Sequence, residues 1–111
     1  MLVLSATGRN LPLEAKRHFH RDLWIAALTQ LQGYAADQGA DGFSVYLVFW
    51  FGVDVAPTPR RPDGGDRPTS APELESMLIA GLPSDHRART DVIVFDVSNP
   101  DAQVTTTPSN L

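Results

Sequence analysis

The sequence predicts a single α/β domain with a mixed sheet of about four strands and two helices. Three observations carry that expectation. A short apolar run and an alternating segment lie either side of a tight turn near the N-terminus. Two later segments are short, continuous and rich in β-branched and aromatic residues. Between them the hydrophobic period changes from two to that of a helix.

The elements follow in order. Leu2 to Ala6 is apolar and closes in Thr7-Gly8-Arg9-Asn10, where Gly8 and Asn10 tolerate the backbone of a reversal. Leu11 to Lys16 then alternates, which makes the pair a hairpin with antiparallel strands. Alternation sends Leu11, Leu13 and Ala15 to one face, and Glu14 and Lys16 together to the other. Pro12 has no N–H to donate and must face an edge or an irregularity. From Asp22 to about Asp37, Trp24, Leu28, Leu31 and Ala35 form one helical stripe, with Asp22 at its start. Gln38 to Gly42 is a stop. Phe43 to Phe51 reads as a strand buried on both faces, as parallel sheets require.

Residues 52–69 hold Pro57, Pro59, Pro62 and Pro68 with Gly64-Gly65, a long loop that cannot join a sheet. It reads as a solvated excursion, with a mobile flap as the other reading. Its Arg60, Arg61 and Arg67 are balanced by Asp54, Asp63 and Asp66. Ser70 followed by Glu73 has capping-box spacing and opens a helix to about Ala80, which Gly81 and Pro83 end. Asp91 to Val97 is a second buried-type strand, and residues 98–111 form a polar tail. Residues 1–97 therefore make one domain. Helices joining the last three strands make those strands parallel, with right-handed connections.

Composition narrows the function classes. The 111 residues contain no cysteine, which excludes a disulfide framework, a thiolate metal site and a thiol nucleophile. No Gly-x-Ser-x-Gly elbow and no phosphate-binding glycine loop is present, so acyl transfer and nucleotide binding have no candidate. No apolar run approaches the roughly 20 residues of a membrane span, and Met1 to Ala6 is too short for a signal peptide. The chain reads as soluble and cytoplasmic. Its net charge of −4 argues against coating nucleic acid by bulk electrostatics. Residues 1–22 run the other way, with Arg9, Lys16, Arg17 and Arg21 against Glu14 and Asp22, and with His18 and His20 between them.

Glu14 and Lys16 are the residues with chemistry to offer. A carboxylate can hold a hard divalent cation, and a neighbouring ammonium can orient a water or offset charge growing on a phosphate. Lys16 is the chain's single lysine. On spacing alone the pair also fits an ordinary ion pair on a hairpin surface, in an unrelated small α/β protein.

A hairpin strand with Glu14-Ala15-Lys16, followed by a helix with Gln30-Leu31-Gln32-Gly33-Tyr34, resembles the PD-(D/E)XK nuclease superfamily. It is most similar to the RecB-type branch, in which a Glu-hydrophobic-Lys strand precedes a Gln-x-x-x-Tyr helix. The resemblance covers about residues 1–51. It implies a restriction-endonuclease-like core and metal-dependent hydrolysis of DNA phosphodiesters. Glu14 and the Ala15 carbonyl would hold Mg²⁺ (or Mn²⁺), and Lys16 would position the attacking water. Gln30 and Tyr34 would contact the DNA backbone or steady the site. Arg17, His18, His20 and Arg21 would meet phosphates.

The chain departs from that family at one point. A further metal-binding Asp belongs on or just before the first hairpin strand, yet residues 1–13 contain neither Asp nor Glu. The helix and strand that precede it in the family are missing too. The expectation is a core truncated at its N-terminus, which does not cut DNA efficiently as given. The alternative is a non-catalytic DNA- or protein-binding module of the same fold. Truncation would expose apolar surface, so self-association, or a missing N-terminal segment completing the fold, is also expected.

Overall fold

A computed structural model describes residues 2–6, 9–31 and 43–98. Its centre is a four-stranded mixed sheet in sequence order: β1 (Leu2–Ala6), β2 (Arg9–Arg17), β3 (Ser44–Trp50) and β4 (Thr90–Asp96). β1 runs antiparallel to β2, with Leu2 opposite Leu13 and Ala6 opposite Arg9. β2, β3 and β4 are parallel, with Glu14 opposite Tyr46 and Val48 opposite Val94. The hairpin and the parallel trio are thus as the sequence predicts. The hairpin is tighter than expected. Arg9 and Asn10, read as turn residues, are ladder residues, and Ser5 Oγ donates to Asn10 Oδ1 at 2.7 Å.

Backbone direction along β2 explains how Pro12 is accommodated. The His18 N–H donates to the Phe49 carbonyl, so even-numbered residues of β2 turn their backbone polar groups toward β3 and odd-numbered ones away. Pairing with β3 begins only at Leu13. Pro12 therefore stands just ahead of the ladder, where no N–H is required.

One face of the sheet carries the core. Tyr46, Val48, Trp50 and Val92 pack there against Leu23, Ala26 and Ala27 from the first crossover and Ala71, Leu74, Leu78 and Leu82 from the second. The first crossover begins with turns at Asp22 and passes into a π-helical turn, Ala27–Leu31. Its buried residues are Leu23, Ala26 and Ala27, while Trp24 and Leu28 are only partly buried. The stripe expected from Trp24 and Leu28 is therefore displaced by about one residue, since Leu23, Ala26 and Ala27 follow the i, i+3, i+4 spacing of the face that meets the sheet; the Leu31 side chain lies outside the described residues. Ala35 lies outside the described residues.

The second crossover carries α1 (Ala71–Ala80). Ser70 Oγ accepts from the Glu73 N–H, and Glu73 Oε1 reaches back to the Thr69 N–H at 2.6 Å. The capping box is present, with its return bond shifted one residue outward. Gly81 ends α1. Pro83 then caps α2 (Ser84–Arg87), a single turn that composition does not announce.

The loop of residues 51–69 is pinned rather than free. The His18 ring Nε2 donates to the Ala56 carbonyl at 2.7 Å, the Trp24 indole donates to the Pro59 carbonyl at 2.9 Å, and Thr58 and Pro68 are buried. Arg61 closes the turn on itself through Asp63 at 2.8 Å and the Asp66 carbonyl. Gly52, where the loop leaves β3, has φ +98°, and a Cβ there would come within 3.2 Å of Ser98 Cβ.

The expectation of strands buried on both faces is corrected. β3 alternates buried and half-buried residues, and on β4 Ile93 and Phe95 are 40% and 49% exposed. Both described crossovers lie on the same face, so the opposite face has no layer over it among the described residues. Its apolar side chains account for the continuous hydrophobic runs that suggested two-sided burial.

Candidate functional site

Glu14 and Lys16 stand on the covered face near the carboxyl end of β2. Lys16 Nζ lies 3.1 Å from Glu14 Oε2, with side chains 13% and 6% exposed. This is a largely desolvated pair, unlike the mobile pairs of an open hairpin surface. In parallel sheets the carboxyl ends of strands are where crossovers open and ligands collect.

Tyr46, opposite Glu14 in register, extends the site. Its buried hydroxyl donates to the Leu23 carbonyl at 2.7 Å and fastens the first crossover to β3. Burial pushes its ionisation well above the usual tyrosine range, and the charges of Glu14 and Asp22 push it further. Sequence reading missed Tyr46, and treated Asp22 only as the start of a helix. The usable signal was topological. In a parallel pair, a residue at the start of the crossover and one on the next strand are carried back beside the strand that precedes them.

Among the described residues, no strand pairs with the edge of β2 beside this pair. β1 stops opposite Leu13, whereas β2 continues to Arg17. Odd-numbered backbone groups turn away from β3, so the Ala15 carbonyl points toward a stretch of edge that no described strand covers. A carboxylate and a main-chain carbonyl are hard oxygen donors of the kind Mg²⁺ takes. They fit in type but fall short in number. Among the described residues no three His, Cys, Asp or Glu side chains gather where they could hold a metal ion.

The remaining predicted residues scatter. His18 is fully buried. Its Nδ1 accepts from the Phe51 N–H at 3.0 Å and its Nε2 donates to Ala56, while the ring packs 4.7 Å from Trp50. Every polar atom of that ring is used inside the fold, which leaves none for a phosphate. Arg17 is exposed on the opposite face from Lys16, with its guanidinium 5.1 Å over the Phe19 ring. His20 accepts from the Asp22 N–H at 2.9 Å, and Arg21 is 90% exposed beside Asp22. Gln30 falls in the π-helical turn, but its side chain and the whole of Tyr34 lie outside the described residues.

No protein-family profile, no curated protein and no solved structure matches the chain. What stands is a small α/β domain with a four-stranded mixed sheet. No helix among its described residues is long and apolar enough to cross a membrane.

Proposed function

We propose that the Glu14–Lys16 pair is the water- and phosphate-handling half of a metal-dependent nuclease site of the PD-(D/E)XK kind, acting on DNA, within a restriction-endonuclease-like core. The observation that carries the reading is the convergence of the two side chains at 3.1 Å, near the carboxyl end of a parallel strand whose edge no described strand covers beside them. Lys16 would hold a water by hydrogen bond and offset charge growing on the phosphate. Glu14 keeps that ammonium in place, and its carboxylate would be the oxygen donor to Mg²⁺ or Mn²⁺. Arg21, 90% exposed at the turn that follows β2, and His20 before it are the groups this reading offers for phosphate contact. Hydrolysis in this reading needs one more carboxylate than the described residues gather beside Glu14, and a chain that lacks it would bind metal weakly and cut DNA poorly.

The test is calorimetric titration of Mn²⁺ and Mg²⁺ into the chain and its Glu14→Ala variant, followed by a plasmid-nicking assay. Metal binding that vanishes with Glu14 supports the reading. No metal binding in either protein sinks it. A second reading, a non-catalytic DNA- or protein-binding module of this fold, is favoured by the small number of oxygen donors. It is distinguished by duplex DNA binding that is lost in Lys16→Ala and Arg21→Ala, yet is indifferent to added Mg²⁺.

A further inference from the structure

The uncovered face of the sheet is ordered in rows. Leu4 pairs with Leu11; Leu2 with Leu13, Val45 and Asp91; Ala15 with Leu47 and Ile93; Arg17 with Phe49 and Phe95. Leu2, Leu4, Ile93 and Phe95 are exposed, and the Phe49 and Phe95 rings stack 6.2 Å apart. Strand spacing and rise put this apolar area on the order of 300 Å² between strand axes, the size at which an exposed patch usually has a role. Parallel sheets are ordinarily covered on both faces. The undescribed segments are poor in apolar residues: residues 99–111 hold Ala102, Val104 and Leu111 as aliphatic residues, residues 32–42 three alanines and Tyr34, and Met1 stands before β1.

Among the described side chains of these rows only two are charged, and they are of opposite sign. Arg17 stands one strand to one side of Leu47 and two residues along. Asp91 stands one strand to the other side and two residues back. They are therefore diametrically opposed across Leu47. A two-fold axis lying in the interface, through Leu47 and perpendicular to the Arg17–Asp91 diagonal, sets each Arg17 over the other copy's Asp91 and each apolar row over apolar rows. From strand spacing and rise, that axis makes the strands of the two sheets cross at roughly 70°, near the orthogonal class of sheet packing.

We infer that this face is an isologous interface between two copies of the chain, with Leu47 on its axis, Phe49 and Phe95 in the adjoining row and an Arg17–Asp91 pair on either side. A patch of this size supports a weak, concentration-dependent dimer, not an obligate one. The inference stands apart from the nuclease reading, since Glu14 and Lys16 lie on the other face.

Sedimentation equilibrium of the full chain, from micromolar to millimolar concentration at low salt, tests it. The wild type is expected to pass from monomer to dimer, and Phe95→Glu to remain monomeric while keeping its far-UV circular dichroism. Arg17→Asp and Asp91→Arg should each weaken association about tenfold, and the two together should restore it to within about threefold. A wild type that stays monomeric throughout overturns the inference. So does a dimer that survives Phe95→Glu, which would place the interface elsewhere. A double charge reversal that fails to restore association overturns the two-fold arrangement.

Discussion

His18→Phe separates a residue that builds the fold from one that meets DNA. Phenylalanine keeps a ring of similar breadth against Trp50 and Phe19, so little packing is lost. Both hydrogen bonds go, however: the Phe51 N–H loses its acceptor at 3.0 Å and the Ala56 carbonyl its donor at 2.7 Å. A buried polar group left without its partner costs about 1–3 kcal/mol. Both partners here are only part-buried and water can reach them in some measure, so the sum is set at about 2–4 kcal/mol. Against a domain stability of about 5–15 kcal/mol, that is a large share. Urea unfolding followed by tryptophan fluorescence should show the midpoint lowered by roughly 1–3 M. His18→Gln can return a side-chain N–H to Ala56 and should recover about half of the loss. A His18→Phe protein within about 0.5 kcal/mol of wild type, the range of ordinary surface substitutions, refutes the assignment of this ring to the interior.

Three further outcomes are expected. Lys16→Met should cost about 2 kcal/mol because it removes the cation from beside a buried carboxylate; adding Glu14→Gln should cost less than the sum, with a coupling of about 1–2 kcal/mol in a denaturation cycle. Tyr46 ionises with more difficulty in the folded chain than in the unfolded one, so stability is whole below about pH 10 and falls above it by up to about 1.4 kcal/mol per pH unit. Tyr46→Phe should flatten that alkaline limb in urea midpoints taken between neutral and strongly alkaline pH. Ser70→Ala removes the cap of α1 and should lower Tm by about 4–8 °C in a calorimetric scan, the effect of about 1 kcal/mol in a domain this small.

The elements were legible in the sequence where one local pattern decides them. Alternation across Leu11 to Lys16 put Glu14 and Lys16 on a shared face, and they meet there. Ser70 and Glu73 announced α1. What local pattern could not convey was which layer would cover which face. Val45, Leu47 and Phe49 look identical to core residues in a sequence, because an apolar side chain awaiting a cover has the same chemistry as one that already has it. The histidines misled for a related reason. His18 follows Arg17 and precedes a second histidine, a run that reads as a phosphate-facing cluster. Alternation at the end of β2 instead turns its ring inward, under the loop that carries Ala56. Tyr46 gave no signal of its own, since its partnership with Glu14 exists only once two distant strands are in register.

One bond at the far side of the sheet has a consequence for growth. Glu75, on α1, reaches over the outer strand so that its Oε1 accepts from the Val94 N–H at 2.9 Å. Backbone groups that a visiting strand would need on β4 are thereby engaged at mid-strand, and the helix stands in the way. Among the described residues, the β1 margin has no such helix contact on its backbone. A sheet that extends from one side alone stops after a single joining event, when two such margins have met. Polymerisation into a continuous ribbon requires two sticky sides, and on the β4 side a single carboxylate already occupies a backbone donor at mid-strand.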